Sequence, residues 1–151
     1  MAPMRYLLFA TLVITFIAAG CNSGAKKDKV VNNVITTALA DTARYTTIEW
    51  LDSARDFGKV PEGQKLDVAF RFRNTGTTPL VIGQVRPSCG CTIAEQPQEP
   101  IAPGNEGQIK AVFNSEGRSG INHKTLFVTA NTRGRQDFSL QFVVEVEKKA
   151  S

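Results

Sequence analysis

The residues best equipped for chemistry stand in the stretch RPSCGCT, residues 86–92, where Cys89 and Cys91 flank a single glycine. Two thiols this close suit three uses. They can be structural, either reduced or bridged to each other, because a neighbouring pair tends to oxidise in an oxidising compartment. They can hold a soft metal such as Cu(I) through two thiolates. They can exchange disulfides with a partner, with Arg86 favouring a thiolate. In an extended strand the Cα atoms of residues i and i+2 lie roughly 6.6–7 Å apart, at the edge of what a disulfide spans. Gly90 lets the backbone bend and shortens that distance. A zinc site needs about four ligands, and His123, the chain's one histidine, is the only other obvious donor. A histidine triad or cluster is therefore not expected. The close carboxylates Asp52 and Asp56, and Glu95 and Glu99, read as solvated turn charges. Two carboxylates make a glycosidase only at a set separation across a sugar cleft. Gly104 and Gly107 do not frame a phosphate loop. No catalytic residue, metal or cofactor is expected, so the chain reads as a non-enzyme with Cys89 and Cys91 as its one candidate thiol or metal site.

The compartment is indicated by the start of the chain, MAPMRYLLFATLVITFIAAGC. Arg5 is followed by an apolar run that is short for a membrane span, and Ala18, Ala19 and Gly20 lead to Cys21. That is the layout of a signal peptide. Its end resembles the lipobox of bacterial lipoproteins, with Ala18 where leucine is usual. The resemblance implies cleavage before Cys21 and lipidation of that cysteine. Each buried acyl methylene contributes about 0.8 kcal/mol to such an anchor. Asn22 does not carry the aspartate signal for inner-membrane retention, so the expected address is the outer membrane, facing the periplasm. The expected partners are the membrane itself, through the anchor, and a protein or envelope polymer. The net charge of +4 is mild, and no basic–aromatic run points to nucleic acid.

The remainder of the chain must position the two cysteines above the membrane. Residues 21–45 are polar and lysine-rich near their start and read as a flexible tether, although Val30, Val31, Val34, Ile35, Ala38 and Leu39 recur at helical spacing. β-branched residues weaken that helix. Over residues 46–148 the period becomes two. KLDVAFRFRN places Leu66, Val68, Phe70 and Phe72 on one face, and DFSLQFVVEVE places Phe138, Leu140, Phe142, Val144 and Val146 together. QIKAVFN and HKTLFVTAN alternate likewise, with Phe127 opposite Leu126 and Val128. Such alternation describes strands with one buried and one wet face. Turn residues separate them, among them Pro103-Gly104, which suits a type II turn. The expected fold is all-β: an immunoglobulin-like antiparallel sandwich of about seven strands.

The order FGKVPEG, FRFRNTGTTPLVIGQVRPSCGCT, PIAPGNEGQIKAVFNSEGRSG and KTLFVTAN resembles a bacterial family known as domain of unknown function 1573. Its members are often exported or lipid-anchored, and it looks like the immunoglobulin-like domains of hydin-type cilia and centrosome proteins. The likeness runs over about residues 48–132. It implies a fold and an envelope address, and no reaction. The expected function is a lipid-anchored, non-catalytic binding or structural module. The alternative is a thiol-redox or soft-metal protein working through Cys89 and Cys91.

Overall fold

The computed structural model describes residues 23–148. The expected signal peptide, residues 1–20, and the expected lipidation site Cys21 lie outside them. The chain runs through α1 (Ser23–Ala40) and then eight strands: β1 (Ile48–Trp50), β2 (Ala54–Pro61), β3 (Lys65–Asn74), β4 (Ile82–Pro87), β5 (Thr92–Glu95), β6 (Glu106–Asn114), β7 (Gly120–Ala130) and β8 (Asp137–Glu147). They form two four-stranded sheets, β1-β3-β6-β5 and β2-β8-β7-β4. This is the immunoglobulin-like sandwich expected from the alternation, with eight strands rather than about seven and with β2 paired to β8 in parallel.

The period-two residues face inward. Val68, Phe70 and Phe72 of β3 and Ile109, Ala111 and Phe113 of β6 meet Leu126 and Val128 of β7 and Leu140, Phe142 and Val144 of β8, all at most 2% exposed. Phe113 and Phe142 meet edge to face across the two sheets, with ring centroids 6.0 Å apart. Phe57 on β2 stacks on Phe142 in the same way. Burying each such side chain contributes on the order of 1.5–3 kcal/mol, so these layers dominate stability.

Two buried asparagines tie the loops at one end. Asn74 accepts hydrogen bonds at Oδ1 from the Thr46 hydroxyl (2.8 Å) and Gly76 N–H (3.1 Å), and donates from Nδ2 to the carbonyls of Thr78 (2.8 Å) and Ile101 (2.9 Å). Asn131 accepts from Val81 N–H at 2.7 Å and donates to the carbonyls of Arg44 and Pro79. Their amides do for irregular backbone what a ladder does within a sheet. The Pro103-Gly104 turn closes beside them, with Gly104 at φ +79° and its N–H bonded to the Asn74 carbonyl.

Where the sequence suggested a tether, the structure has a helix. Ala38 is 4% exposed, and Leu39 seats against Gly83 on β4 so closely that a Cβ there would lie 2.5 Å from Leu39 Cδ1. The Tyr45 hydroxyl donates to the Leu39 carbonyl at 3.1 Å. Tertiary packing of its last turn overrides the weak propensity of the β-branched residues. Among the described residues no helix is long and apolar enough to cross a membrane.

Candidate functional site

The stretch carrying the cysteines is the crossing from one sheet to the other. β4 lies at the edge of the second sheet and β5 at the edge of the first, and residues 88–91 carry the chain between them. Hydrogen bonds pin both ends of the crossing. Ser88 N–H donates to the Thr125 carbonyl at 2.9 Å and Asn114 N–H to the Cys91 carbonyl at 2.9 Å. Cys89 and Cys91 are bridged, with Cα atoms 5.3 Å apart. The bend at Gly90 supplies the shortening that the extended geometry lacked. The bridge closes a loop of only three residues. Chain entropy then credits it with about 1.6 kcal/mol, the low end of what one buried phenylalanine contributes. It holds the bend rather than the sandwich.

β5 comes directly after the crossing. Its register with β6 continues the bond between Asn114 N–H and the Cys91 carbonyl, so Ile93 and Glu95 direct their backbone groups at β6. Ala94 therefore turns its N–H and C=O to the open edge, and Thr92 its C=O. Among the described residues none of these three groups has a backbone partner. Side chains alternate the other way: Thr92 is buried at 3%, and Ile93 stands 69% exposed on the outer face. Beside Ile93 the outer face dips into a shallow depression of about 450 Å³, floored by Ala69 and Val112 and rimmed by Asp67, Glu95 and Lys110. Small Ala69 opposite Lys110 leaves the dip.

Beyond β1, whose Ile48 and Trp50 also turn backbone groups outward with no backbone partner among the described residues, the other edges are blunted. Where β1 stops, Asp52 accepts from Arg71 N–H (3.3 Å) and Nε (2.8 Å), and Arg55 donates to the Ala69 carbonyl at 2.8 Å, so two charged side chains cap the uncovered edge of β3. The hydrogen bond from Arg71 holds the Asp52 carboxyl below its ordinary value, against a smaller opposing effect of desolvation. On β4 the bond of Ser88 to Thr125 sets the register so that Pro87, which has no N–H, faces the open side, while α1 packs against Gly83. β2 carries a register shift between Asp56 and Lys59 that includes Gly58. These are the devices by which sheets avoid edge pairing. β5, like the three-residue β1, has only its shortness.

The remaining residues considered from sequence do not converge. His123 is on β7, opposite Val143. Asp56 accepts from Gly58 N–H at 2.9 Å, as a turn residue. Glu95 rims the depression and Glu99 is exposed in the loop beyond β5. Arg71 is spent on Asp52, and Arg73 pairs with Glu106 and Glu49, so neither forms an open basic face. Arg86 lies over the ring of the exposed Phe127, 5.8 Å from its centroid. Among the described residues no group of three or more potential ligands could hold a metal ion. The residues that sequence reasoning missed are Ile93 and Ala94. Their signal was an apolar residue alternating with Thr92 in a run too short to be read as a strand.

Comparison with known proteins agrees with the fold. The model of a family described as "Protein of unknown function (DUF1573)" matches residues 48–146. No curated protein matches the sequence. Among solved structures, a protein of unknown function from Porphyromonas gingivalis W83 is similar at 18% identity and TM-score 0.60, over 70% of this chain and 49% of that one. The chain thus spans about half the length of that relative. A PapD-like domain of human CEP192 aligns at 11% identity and TM-score 0.54, over 71% of this chain and 89% of the domain. The Vibrio cholerae VesB protease aligns at 10% identity and TM-score 0.53, over 74% of this chain and 35% of the protease. At these identities the likeness is one of fold.

Proposed function

Because the chain belongs to the family described as Protein of unknown function DUF1573, whose model covers nearly the whole sandwich, we propose that it is a non-catalytic binding module of the cell envelope, held at the outer membrane by a lipid on Cys21 and engaging an extended polypeptide along β5. The observation that carries the reading is an open edge beside an exposed apolar side chain, which β1 lacks because Ile48 and Trp50 pack against the core. β3 and β4 are blocked by charge, proline or helix, whereas β5 presents free backbone groups beside Ile93, 69% exposed. A partner strand here gains main-chain hydrogen bonds from Ala94 and Thr92, and an apolar side chain settles over Ala69, Val112 and Ile93.

Magnitudes say what sort of binding this is. Three hydrogen bonds at about 1 kcal/mol each and burial of Ile93 at about 2 kcal/mol give roughly 5 kcal/mol. That corresponds to a dissociation constant of a few tenths of a millimolar at best. Such a contact works when the partner shares the membrane or offers a second contact, because tethering raises the effective concentration. A lipid anchor fits that requirement.

Ile121, 68% exposed on β7 in the other sheet, provides a matched control. A photo-crosslinking residue placed at 93 in intact cells is expected to give a discrete adduct with an envelope protein, and the same residue at 121 is not. Ala94→Pro removes an outward N–H without touching the β5–β6 ladder, and it is expected to abolish the adduct. Equal crosslinking from both positions, or an adduct indifferent to Ala94→Pro, would refute the proposal.

A further inference from the structure

We propose that the Cys89–Cys91 bridge is a reversible exchange centre that accepts electrons from an external dithiol, with the Thr92 hydroxyl positioned to receive the thiolate that exchange creates. This goes beyond the binding role above and does not rest on it.

The first observation is Thr92. The residue is 3% exposed, and its Oγ1 lies 3.9 Å from the sulfur of Cys91 and 4.0 Å from that of Cys89. Among the described residues the hydroxyl has no oxygen or nitrogen partner; its neighbours of hydrogen-bonding type are the two sulfurs. A disulfide sulfur is a poor acceptor, and a buried hydroxyl ordinarily finds a better one. A thiolate is charged and accepts strongly. The hydroxyl is therefore set for a charge that exists only after the bridge opens.

The second observation is that the bridge is dispensable to its surroundings. Ser88 and Thr125 exchange hydrogen bonds on one side, Asn114 N–H holds the Cys91 carbonyl on the other, and Thr92 N–H reaches the Cys89 carbonyl at 3.3 Å. Opening the bridge leaves the two thiols facing each other on pinned backbone, ready to close again. The third is access. Both cysteines are half-buried, Gly90 between them is exposed, and a Cβ built on Gly90 would meet nothing within 4 Å. The two sulfurs differ in one respect: Cys91 packs against the hydrophobic core and Cys89 does not.

The direction of exchange is set by that asymmetry. A thiolate of the external dithiol attacks Sγ of Cys89, forming a mixed disulfide as the Cys89–Cys91 bond breaks. The electron pair leaves on Sγ of Cys91, where the Thr92 hydroxyl donates to it. The second thiol of the donor, deprotonated, attacks its own sulfur in the mixed disulfide and releases Cys89 as a thiolate. Two protons from the donor's thiols end on Cys89 and Cys91. The donor is oxidised to a disulfide by two electrons, and the bridge is reduced by the same two.

The test uses the full chain in detergent micelles, with redox state read by alkylation and mass spectrometry of the peptide that carries Cys89 and Cys91. Dithiothreitol is expected to reduce the bridge while circular dichroism shows the sandwich unchanged. Thr92→Val is expected to slow reduction about tenfold, the loss of one hydrogen bond to a charged acceptor, and Thr92→Ser to restore it. With oxidised glutathione, Cys91→Ser is expected to form the mixed disulfide at Cys89 faster than Cys89→Ser forms it at Cys91. Reduction only on unfolding, a Thr92→Val rate equal to wild type, or faster capture at Cys91 would each overturn the proposal. The serine variants read the asymmetry even if Thr92→Val fails to fold.

Discussion

Replacing Asn74 by alanine tests whether a polar side chain, rather than the apolar layers alone, holds the loop end of this sandwich. Four hydrogen bonds disappear with the amide. The Ile101 carbonyl keeps a partner, because Leu80 N–H donates to it at 2.9 Å. The Thr46 hydroxyl, Gly76 N–H and Thr78 carbonyl lose theirs. Thr46 is 2% exposed, and nothing shorter than a rebuilt loop brings water to it. At about 1–3 kcal/mol for each orphaned group, partly relieved by relaxation, the expected cost is about 4 kcal/mol. A domain of this size commonly has about 5–15 kcal/mol to lose. The melting temperature should therefore fall by roughly 15–25 °C, measured by calorimetry or circular dichroism. Asn114→Ala is the control. Its side chain accepts only from Glu116 N–H at an exposed turn, and it should cost less than about 0.5 kcal/mol. If Asn74→Ala melts within a few degrees of Asn114→Ala, unpaired polar groups do not govern the stability of this end.

The other perturbations are smaller. Gly83→Val drives a side chain into the space of Leu39 and Thr129; limited proteolysis should then cut between α1 and β1 faster, while the sandwich melts at a temperature little changed. Because the Arg71 hydrogen bond depresses the Asp52 pKa in the folded state, that contribution is present above the unfolded value and is lost as pH falls through the folded one. Denaturant titrations of Asp52→Asn and wild type should differ at neutral pH and converge below the ordinary aspartate value of 3.8.

Much of the fold was legible because alternation of apolar and polar residues has one simple physical cause, a sheet with one dry face. Phe70, Phe72, Phe113 and Phe142 stand in the core, and Phe127 points outward at 44% exposure, as the alternation requires. β2 was not legible, since Arg55, Asp56 and Gly58 break the period where the strand runs along a parallel edge with a register shift. β5 was too short to show a period. The helix showed its spacing in the sequence, but not what stabilises it: Leu39 is held against Gly83 on β4, a contact no local pattern records. Asn74 and Asn131 end alternating runs in the sequence; that each satisfies distant backbone depends on where the loops meet. The candidate site was half legible. Cys89 and Cys91 were visible as chemistry, but Ala94 matters only through the direction of its backbone groups, and the Thr92 hydroxyl only through its burial.

Residue-resolved amide exchange along β5, in the isolated protein and in complex with the crosslinked partner, tests the central claim most directly. Open-edge binding predicts slow exchange at Ile93 and Glu95 and fast exchange at Ala94 in the free protein, with Ala94 becoming protected in the complex. An Ala94 amide already protected in the free monomer, or one equally exposed in the complex, would contradict it.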